Sequence, residues 1–247
     1  MLMIDYLTWD SQFFERRIGR LAHPPLTPEG WYAVDQSARL QALDCVYLLL
    51  DIADTPAIVA AEAAGFNLVD VRYTLSREIP VNHHPAPRLP AGASLRQATP
   101  ADSIALQAIA RQVHTDTRFF SDSHFDPARS AEMYAVWIAS YLEEVQFVSV
   151  WLAELLGETV GYLTCRITGE LGRIGLVGLA PQARGLGLGT ALLAAGIDWF
   201  AQQGASQVEV VTQGRNLPAQ RLYQRGGFHS ARLQVWFHKW YTSPDPE

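Results

Sequence analysis

The feature that most constrains this chain is a loop with glycine at three alternate positions, Gly185, Gly187 and Gly189. The loop stands between an apolar, strand-like run at 171–179 and an amphipathic, helix-like run at 187–203. Glycine lets the backbone bend tightly and leaves its N–H groups uncovered, so the loop and the helix N-terminus predict an anion site. Arg184 adds a fixed positive charge that suits a pyrophosphate. A glycine-rich helix start without a ligand remains the alternative.

Two other nucleotide-binding loops do not fit these residues. In the dinucleotide fingerprint G-x-G-x-x-G, a start at Gly185 places Thr190 where the third glycine belongs, and a start at Gly187 places Leu192 there. A Walker loop needs Gly-Lys followed by Ser or Thr, and the sequence has no such run. The loop therefore indicates an anion site of neither of these two kinds.

The clearest boundary in the chain is a proline-rich segment at 80–92, which contains Pro80, Pro85, Pro87 and Pro90. These prolines forbid both a helix and a central strand. They predict a linker between an accessory α/β domain at 1–79 and a larger domain at 93–242, followed by a flexible tail at 243–247. We interpret His83 and His84 as solvated linker residues and not as a metal site.

In the larger domain, the hydrophobic periodicity predicts the element order β-α-α-β-β-β-α-β-α-β. The fold class expected from this order is α/β with a mixed sheet. The 49% hydrophobic and 18% charged residues are typical of a globular chain. The formal charge of −6 and the lack of a basic block argue against nucleic acid or an anionic membrane as a partner.

The sequence also predicts where the protein works. No apolar run approaches the roughly 20 residues of a membrane span, and the first residues lack the apolar core of a signal peptide. The two cysteines, Cys45 and Cys165, lie in apolar runs and have no zinc-site spacing. We therefore expect a cytoplasmic protein with buried, reduced cysteines and no metal.

A longer pattern makes the loop more specific. Leu179-x-Pro-x-x-Arg-Gly-x-Gly-x-Gly-x-x-Leu-Leu193 is followed, one strand later, by Asn216-x-x-Ala-x-x-Leu-Tyr-x-x-x-Gly-Phe228. These two motifs, in this order, resemble the acyl-CoA loop and the C-terminal motif of the GNAT superfamily of acetyltransferases. The resemblance covers about 93–241 and implies the acyl-CoA N-acyltransferase fold, with acetyl-CoA as co-substrate.

The resemblance also implies roles for particular residues. In that family the loop holds the CoA pyrophosphate, the preceding strand near Val177 and Leu179 pairs with the pantetheine arm, and Asn216 contacts the cofactor. The loop residues that match are Arg184, Gly185, Gly187, Leu188, Gly189 and Thr190. Tyr223 stands where many members place a cofactor-contacting general acid for the leaving thiolate. A phenol of pKa about 10 can protonate a thiolate as charge develops on it. A purely structural core aromatic is the alternative for Tyr223.

The base that deprotonates the acceptor amine is not assigned by the resemblance. Family members often place a carboxylate on the strand before the loop, but the run at 171–179 has none and only Glu170 precedes it. The candidates are His124 and Asp122, in a segment that flanks the acceptor pocket in this fold. The alternative is that both are solvated loop residues.

Several residues and a closer resemblance within the family bear on the identity of the acceptor. Arg118, Phe119 and Phe120 suit an anionic, ring-bearing acceptor. The runs at 7–14, at 118–122 and at 133–138, the last with Tyr134 and Trp137, resemble the dTDP-fucosamine acetyltransferase group of sugar-nucleotide GNAT enzymes. Glu15 departs from that group, which commonly has Gly after the Phe-Phe pair.

This closer resemblance implies a small-molecule amine as partner, the 4-amino group of a dTDP-linked amino-dideoxy sugar. A peptide amine, a polyamine or an antibiotic remains an alternative acceptor. A non-catalytic acyl-CoA-binding protein remains an alternative function.

An internal similarity links the two predicted domains. With an offset of 162 residues, 54–66 aligns with 216–228, and Pro56, Ala57, Gly65 and Phe66 coincide with the same residue types. We expect 45–78 to form a β-α-β unit that packs on the larger domain. Ala61 stands in the place of Tyr223, and no Arg-x-x-Gly-x-Gly loop precedes it. The sequence thus predicts one CoA site per chain, with the N-terminal unit supporting the acceptor pocket or forming an oligomer contact such as a homodimer.

Overall fold

The computed structural model describes residues 4–79, 89–144, 146 and 148–241. In these residues ten strands form a single mixed sheet, and eight α-helices accompany it. The strands are β1 (Ile4–Tyr6), β2 (Ile18–Leu21), β3 (Cys45–Asp51), β4 (Asn67–Glu78), β5 (Ala93–Gln97), β6 (Val148–Leu155), β7 (Glu158–Thr168), β8 (Leu171–Leu179), β9 (Gln207–Gln213) and β10 (His229–Trp240). The helices are α1 (Thr8–Phe14), α2 (Pro28–Leu40), α3 (Thr55–Ala63), α4 (Ser103–Val113), α5 (Arg118–Ser121), α6 (Pro127–Glu143), α7 (Leu188–Gln202) and α8 (Leu217–Arg225).

The mixed α/β fold expected from the sequence is confirmed, and from β5 onward only the four-residue helix α5 is added to the expected order. Residues 80–88 of the expected linker, with His83 and His84, lie outside the described residues, as does the tail at 243–247. No helix in the described ranges has the length and apolar character that crossing a membrane requires.

Helices cover both faces of the sheet and bury its apolar side chains. Tyr162 and Leu163 are neighbours on β7 and point to opposite faces. Tyr162 packs in one cluster with residues of α4 and α6, whereas Leu163 packs in another cluster with residues of α7. Cys45 and Cys165 are both buried and free, as expected.

The sheet order is β1-β2-β3-β10-β4-β9-β8-β7-β6-β5. Strand β10 lies between β3 and β4 and pairs antiparallel with both. The segment 45–78 is β-α-β, as expected, and packs on the rest of the chain through these pairings. The strands of 4–79 therefore belong to the common sheet and do not form a sheet of their own.

The offset of 162 residues relates the structure as well as the sequence. Added to the bounds of β3, α3 and β4, it gives the bounds of β9, α8 and β10 without a single shift. The caps agree: the Asp54 side chain accepts from the N–H of Ala57, and the Asn216 side chain accepts from that of Ala219. We call β1–β2–α2–β3–α3–β4 the N-terminal repeat and β7–β8–α7–β9–α8–β10 the C-terminal repeat.

Strand pairing follows the same offset from β3 onward. In each repeat a four-residue parallel pairing flanks the crossover helix, 18–21 with 45–48 and 171–174 with 207–210. The second strands of these pairs are 162 residues apart, whereas the first strands are 153 apart. Asp51 pairs with Gln234 as Gln213 pairs with Arg72. The pair Arg72–Gln234, at the centre of the β4–β10 pairing, maps onto itself. A pseudo-twofold axis therefore passes between these two residues and relates the repeats.

Candidate active site

Strands β8 and β9 part in the middle of the sheet. Their parallel pairing covers 171–174 of β8 and stops there, although β8 continues to Leu179. On its other edge β8 stays bonded to β7 as far as Leu179, which pairs with Gly161. Within the described residues, the edge of β8 at 175–179 that faces β9 has no strand partner. Its backbone N–H and C=O groups can therefore pair with an extended ligand.

A cavity of about 440 Å³ opens at this split. Most of the cofactor-binding residues expected from the sequence come together here. The cavity is lined by Val113, Asp116, Val177, Gly178, Leu179, Arg184, Gly185, Gly187, Gly189, Thr190, Asn216, Pro218, Ala219, Leu222 and Arg225. Leu188 is fully buried beneath the loop, in the apolar cluster around α7, and does not line the cavity.

The glycine loop owes its shape to two left-handed backbone positions. Gly185 has φ +76° and Gly187 has φ +84°, and side chains other than glycine rarely adopt such angles. A Cβ at either position would meet no atom within 4 Å, so the space beside them is open. Gly187 is the N-cap of α7 and provides no side chain for the first N–H groups of that helix. These groups are thus available to an anion.

Arg184 stands at the mouth of the cavity. Its Nε donates to the carbonyl of Leu179 at 3.3 Å, which leaves the rest of the exposed guanidinium beside the loop. Asn216 lines the cavity from the opposite side and caps α8, with Oδ1 accepting from Ala219 N at 3.1 Å. The same residue thus fixes the start of α8 and borders the space for a ligand.

Tyr223 lies on α8 in the apolar cluster around α7, 4% exposed, with its ring 5.9 Å from that of Phe228. It is outside the set of residues that line the cavity, whereas Leu222 and Ala219 of the same helix belong to it. Burial raises the pKa of the Tyr223 phenol above its usual range, so the hydroxyl keeps its proton at any working pH.

The segment after α4 forms a hydrogen-bonded cluster with β10. Asp122 is buried, and its Oδ2 accepts from Nδ1 of His238 at 2.6 Å and from Nε1 of Trp240 at 2.8 Å. Its Oδ1 accepts from the backbone N of His124 at 3.1 Å and lies 2.8 Å from Nδ1 of that residue. Burial opposes ionisation of Asp122, but the hydrogen bonds from His238 and Trp240 outweigh it and hold the pKa below its usual range.

Of the residues expected to bind the acceptor, the aromatic ones form a packed wall. Phe119 is buried, with its ring 5.2 Å from Phe14. Tyr134 is buried as well, which raises its pKa to about 12, and Trp137 packs edge-on against its ring. Phe120 is only partly buried at the side of the same cluster. Arg118 projects from this wall between three aromatic rings.

Two acids that the sequence analysis did not single out lie near this region. Asp116 lines the cavity. Asp70 on β4 is 3% exposed, and burial raises its pKa to about 6. It accepts from the N–H of Val71 at 2.8 Å, and Nε of Arg215 lies 3.8 Å from its Oδ1. Its pairing with Trp236 places it on the sheet face that carries α5 and α6.

A weak sequence signal for Asp70 exists. Polar and apolar residues alternate along this part of β4. Positions 70, 72 and 74 are polar, whereas Val71, Tyr73 and Leu75 between and after them are apolar. Such alternation is typical of a strand with one polar face.

Comparison with known proteins agrees with this architecture. Residues 112–228 match the model of the Acetyltransferase (GNAT) family. A mycothiol acetyltransferase from Sanguibacter keddieii is 33% identical over 199 residues, which are 74% of this chain and 60% of that protein. The chain thus spans less than two thirds of the length of this relative. A dTDP-fucosamine acetyltransferase from Escherichia coli O6:H1 is 27% identical over 242 residues, which are 96% of this chain and 97% of that protein.

Among solved structures, a GCN5-related N-acetyltransferase from Sphaerobacter thermophilus matches with a TM-score of 0.70 at 21% identity. The match covers 96% of this chain and 76% of that one, so the likeness of fold extends over both repeats. Residues 112–228, which contain the glycine loop and the split of β8 from β9, are therefore a GNAT acetyltransferase domain.

Proposed function

We propose that this protein transfers the acetyl group of acetyl-CoA to the amino group of a nucleotide-linked amino sugar. The observation that carries the proposal is the cavity at the split of β8 and β9, which joins an unpaired strand edge to a loop of uncovered N–H groups. An acyl-CoA has a pantetheine arm with two amides and a pyrophosphate. The strand edge suits the amides, and the loop with Arg184 suits the pyrophosphate.

The chemistry requires a base, because an ammonium group has no lone pair with which to attack a thioester. We assign this role to Asp70 and no longer to Asp122 or His124. Both oxygens of Asp122 already accept hydrogen bonds, and these bonds hold its proton affinity low. The pKa of about 6 makes Asp70 ionised at neutral pH and still basic enough to accept a proton.

Transfer proceeds by direct attack of the amine on the thioester carbonyl. A C–N bond forms and the C–S bond breaks as the tetrahedral intermediate collapses. The ammonium nitrogen releases two protons in total, of which Asp70 passes one to solvent. We propose Tyr223 as the donor to the departing sulfur, because it keeps its proton at neutral pH and directly follows Leu222, which lines the cavity. The second proton of the ammonium nitrogen then replaces the one that the Tyr223 phenol gives up. The products are the N-acetyl sugar nucleotide and free CoA.

Two features support a nucleotide-linked sugar as acceptor. The relative that is similar over nearly its whole length is a dTDP-fucosamine acetyltransferase, whereas the mycothiol acetyltransferase shares only part of its length. Arg118 offers a cation for a diphosphate, and the partly exposed rings of Phe120 and Trp137 in the same wall offer surface on which a base can stack. We therefore favour a dTDP-linked 4-amino-dideoxy sugar.

The test is the release of free thiol from acetyl-CoA, measured with dTDP-linked 4-amino sugars and, in parallel, with peptide amines, polyamines and aminoglycosides. We expect saturable turnover with the nucleotide sugars and little with the simple amines. Turnover confined to a simple amine would replace the acceptor. Tight CoA binding without turnover on any amine would favour a binding protein instead.

A further inference from the structure

The guanidinium of Arg118 is held among three aromatic rings. Its central carbon lies 4.1 Å from the ring centroid of Trp236, 4.3 Å from that of Tyr47 and 4.4 Å from that of Phe119. These rings belong to β10, β3 and α5, so both repeats contribute. Contacts of this kind fix the plane of a guanidinium and stabilise its charge.

A buried hydrogen-bond chain runs to the same guanidinium. His238 is fully buried, and burial lowers its pKa to about 4, so its imidazole is neutral at working pH. A neutral imidazole has one N–H, and the Asp122 carboxylate beside Nδ1 can only accept. The proton therefore sits on Nδ1, and Nε2 accepts from Nη1 of Arg118 at 3.3 Å.

The hydrogen bond to His238 uses one N–H of the Arg118 guanidinium, and no other residue that the structure describes accepts from the remaining ones. Asp10 and Asp70 interact with the Arg118 charge from a distance. No carboxylate of the described residues lies within 4.0 Å of the guanidinium nitrogens. A partly exposed cation that is oriented by rings and by a neutral histidine, without an acid of its own, is suited to an anionic ligand.

We propose that Asp122 and His238 are positioning residues that hold Arg118 in place to bind the diphosphate of the acceptor. The inference rests on the proposed function and deepens it, because it names the part of the acceptor that the site recognises. A guanidinium in a fixed plane can bind two phosphate oxygens with parallel hydrogen bonds. A mobile guanidinium binds phosphate more weakly, because ordering its side chain costs conformational entropy. The effect of Asp122 reaches the ligand only through His238 and Arg118.

The test compares the affinities for dTDP and for CoA by calorimetry. Arg118→Ala should raise the Kd for dTDP about tenfold or more, in keeping with the loss of a charge-assisted contact. His238→Leu should raise it by a similar factor, although residue 238 touches no ligand. His238→Gln should restore most of the affinity, since an amide can donate to Asp122 and accept from Arg118. The Kd for CoA should stay within about twofold in all three variants, because neither Arg118 nor His238 lines the cavity proposed for CoA.

The double variant Arg118→Ala with His238→Leu separates positioning from general damage. It should bind dTDP no worse than Arg118→Ala alone, since the hydrogen bonds of His238 and Asp122 affect the ligand only through Arg118. If His238→Leu does not fold, Asp122→Asn provides the same comparison one step further along the chain.

Additive losses in the double variant, equal losses of dTDP and CoA affinity, or unchanged dTDP affinity in His238→Leu would each overturn the positioning role. The proposed function would survive these results, because wild-type protein would still bind dTDP. Wild-type protein that does not bind dTDP would instead remove the nucleotide-sugar acceptor and this inference with it.

Discussion

The loops after β2 and after β8 occupy equivalent places in the two repeats and differ in what they offer a ligand. The C-terminal loop has glycines with positive φ and leaves the first N–H groups of α7 uncapped. In the N-terminal loop, Pro24, Pro25 and Pro28 have no N–H, and the Thr27 side chain accepts from the N–H of Gly30. Both loops permit the same parallel crossover, but only the C-terminal one leaves uncapped N–H groups beside open space. Architecture and binding are thus separable within one chain.

The helices that follow differ in the same way. Tyr223 of α8 and Ala61 of α3 occupy equivalent positions, and each accepts at its carbonyl the N–H of the Phe five residues later. The N-terminal repeat thus keeps the backbone of the motif without the phenol. What it contributes instead is Asp70 on β4 and Tyr47 on β3, both of which interact with Arg118. Under the proposed function, the C-terminal repeat would bind the cofactor and the N-terminal repeat would help to form the acceptor side.

The largest expected effect tests this division of labour at Asp70. Asp70→Asn should lower kcat about 10³-fold, as loss of a general base does, with the Kd for CoA unchanged. Wild-type kcat/KM should rise with pH through about 6, and the variant should lack that rise. Glu78→Gln, an exposed acid on the same strand, is the control and should behave as wild type.

The same substitution has a stability signature with a defined sign. The folded pKa of Asp70 lies above its unfolded value, so wild-type stability is full below pH 4 and falls as pH rises through about 6. Asp70→Asn should therefore raise the free energy of unfolding by about 1–3 kcal/mol at pH 8 and by little at pH 4. A variant that is destabilised at pH 8, or fully active, would contradict the assignment.

The next effect concerns the phenol that only the C-terminal repeat has. Tyr223→Phe keeps the ring and removes the proton, so kcat should fall about 10²-fold while the Kd for CoA holds. Tyr73→Phe alters another buried tyrosine of the same apolar cluster and should leave turnover intact. Equal turnover in the Tyr223 variant and in wild type would leave Tyr223 a structural residue. Helices α3 and α8 would then not differ in catalytic role.

A third test breaks the loop itself. Gly187→Val should raise the Kd for CoA at least tenfold, because the side chain enters the open space beside the loop and the backbone resists φ +84°. Gly204→Val is the matched control, since Gly204 has φ +82° and equally open surroundings after α7. The Gly204 variant has the same backbone strain, at a position that does not line the cavity. Equal effects of the two variants on CoA affinity would place the cofactor elsewhere.

The smallest effect on function is expected in the N-terminal loop. Gly30→Ala places a methyl group against Pro25 Cβ and should destabilise the protein by about 1–3 kcal/mol. CoA affinity should not change, and titration should give one CoA per chain. A second CoA site, or a loss of CoA affinity in this variant, would show that the N-terminal loop still binds cofactor.

The sequence predicts the elements around the glycine loop because local patterns determine them. Apolar periodicity defines strand β9, Asn216 with Pro218 defines the capped start of helix α8, and Gly227 before Phe228 defines its end. The offset of 162 was readable for the same reason. The position of β10 between β3 and β4 could not be read from the sequence, because the strands beside which a strand pairs depend on long-range packing. Asp70 and the partners of Asp122 escaped prediction because their environment comes from residues more than a hundred positions away.

The place of β10 in the sheet has a consequence for how the protein is made. It is the last strand of the described chain, and β3 and β4 emerge from the ribosome long before it. Until β10 arrives, each of them has an open edge facing a gap one strand wide. Such edges invite pairing with other nascent chains, and closing a long loop between distant strands is slow. A ribosome that stalls before residue 229 would therefore release an aggregation-prone chain, even though most of the sequence had been translated.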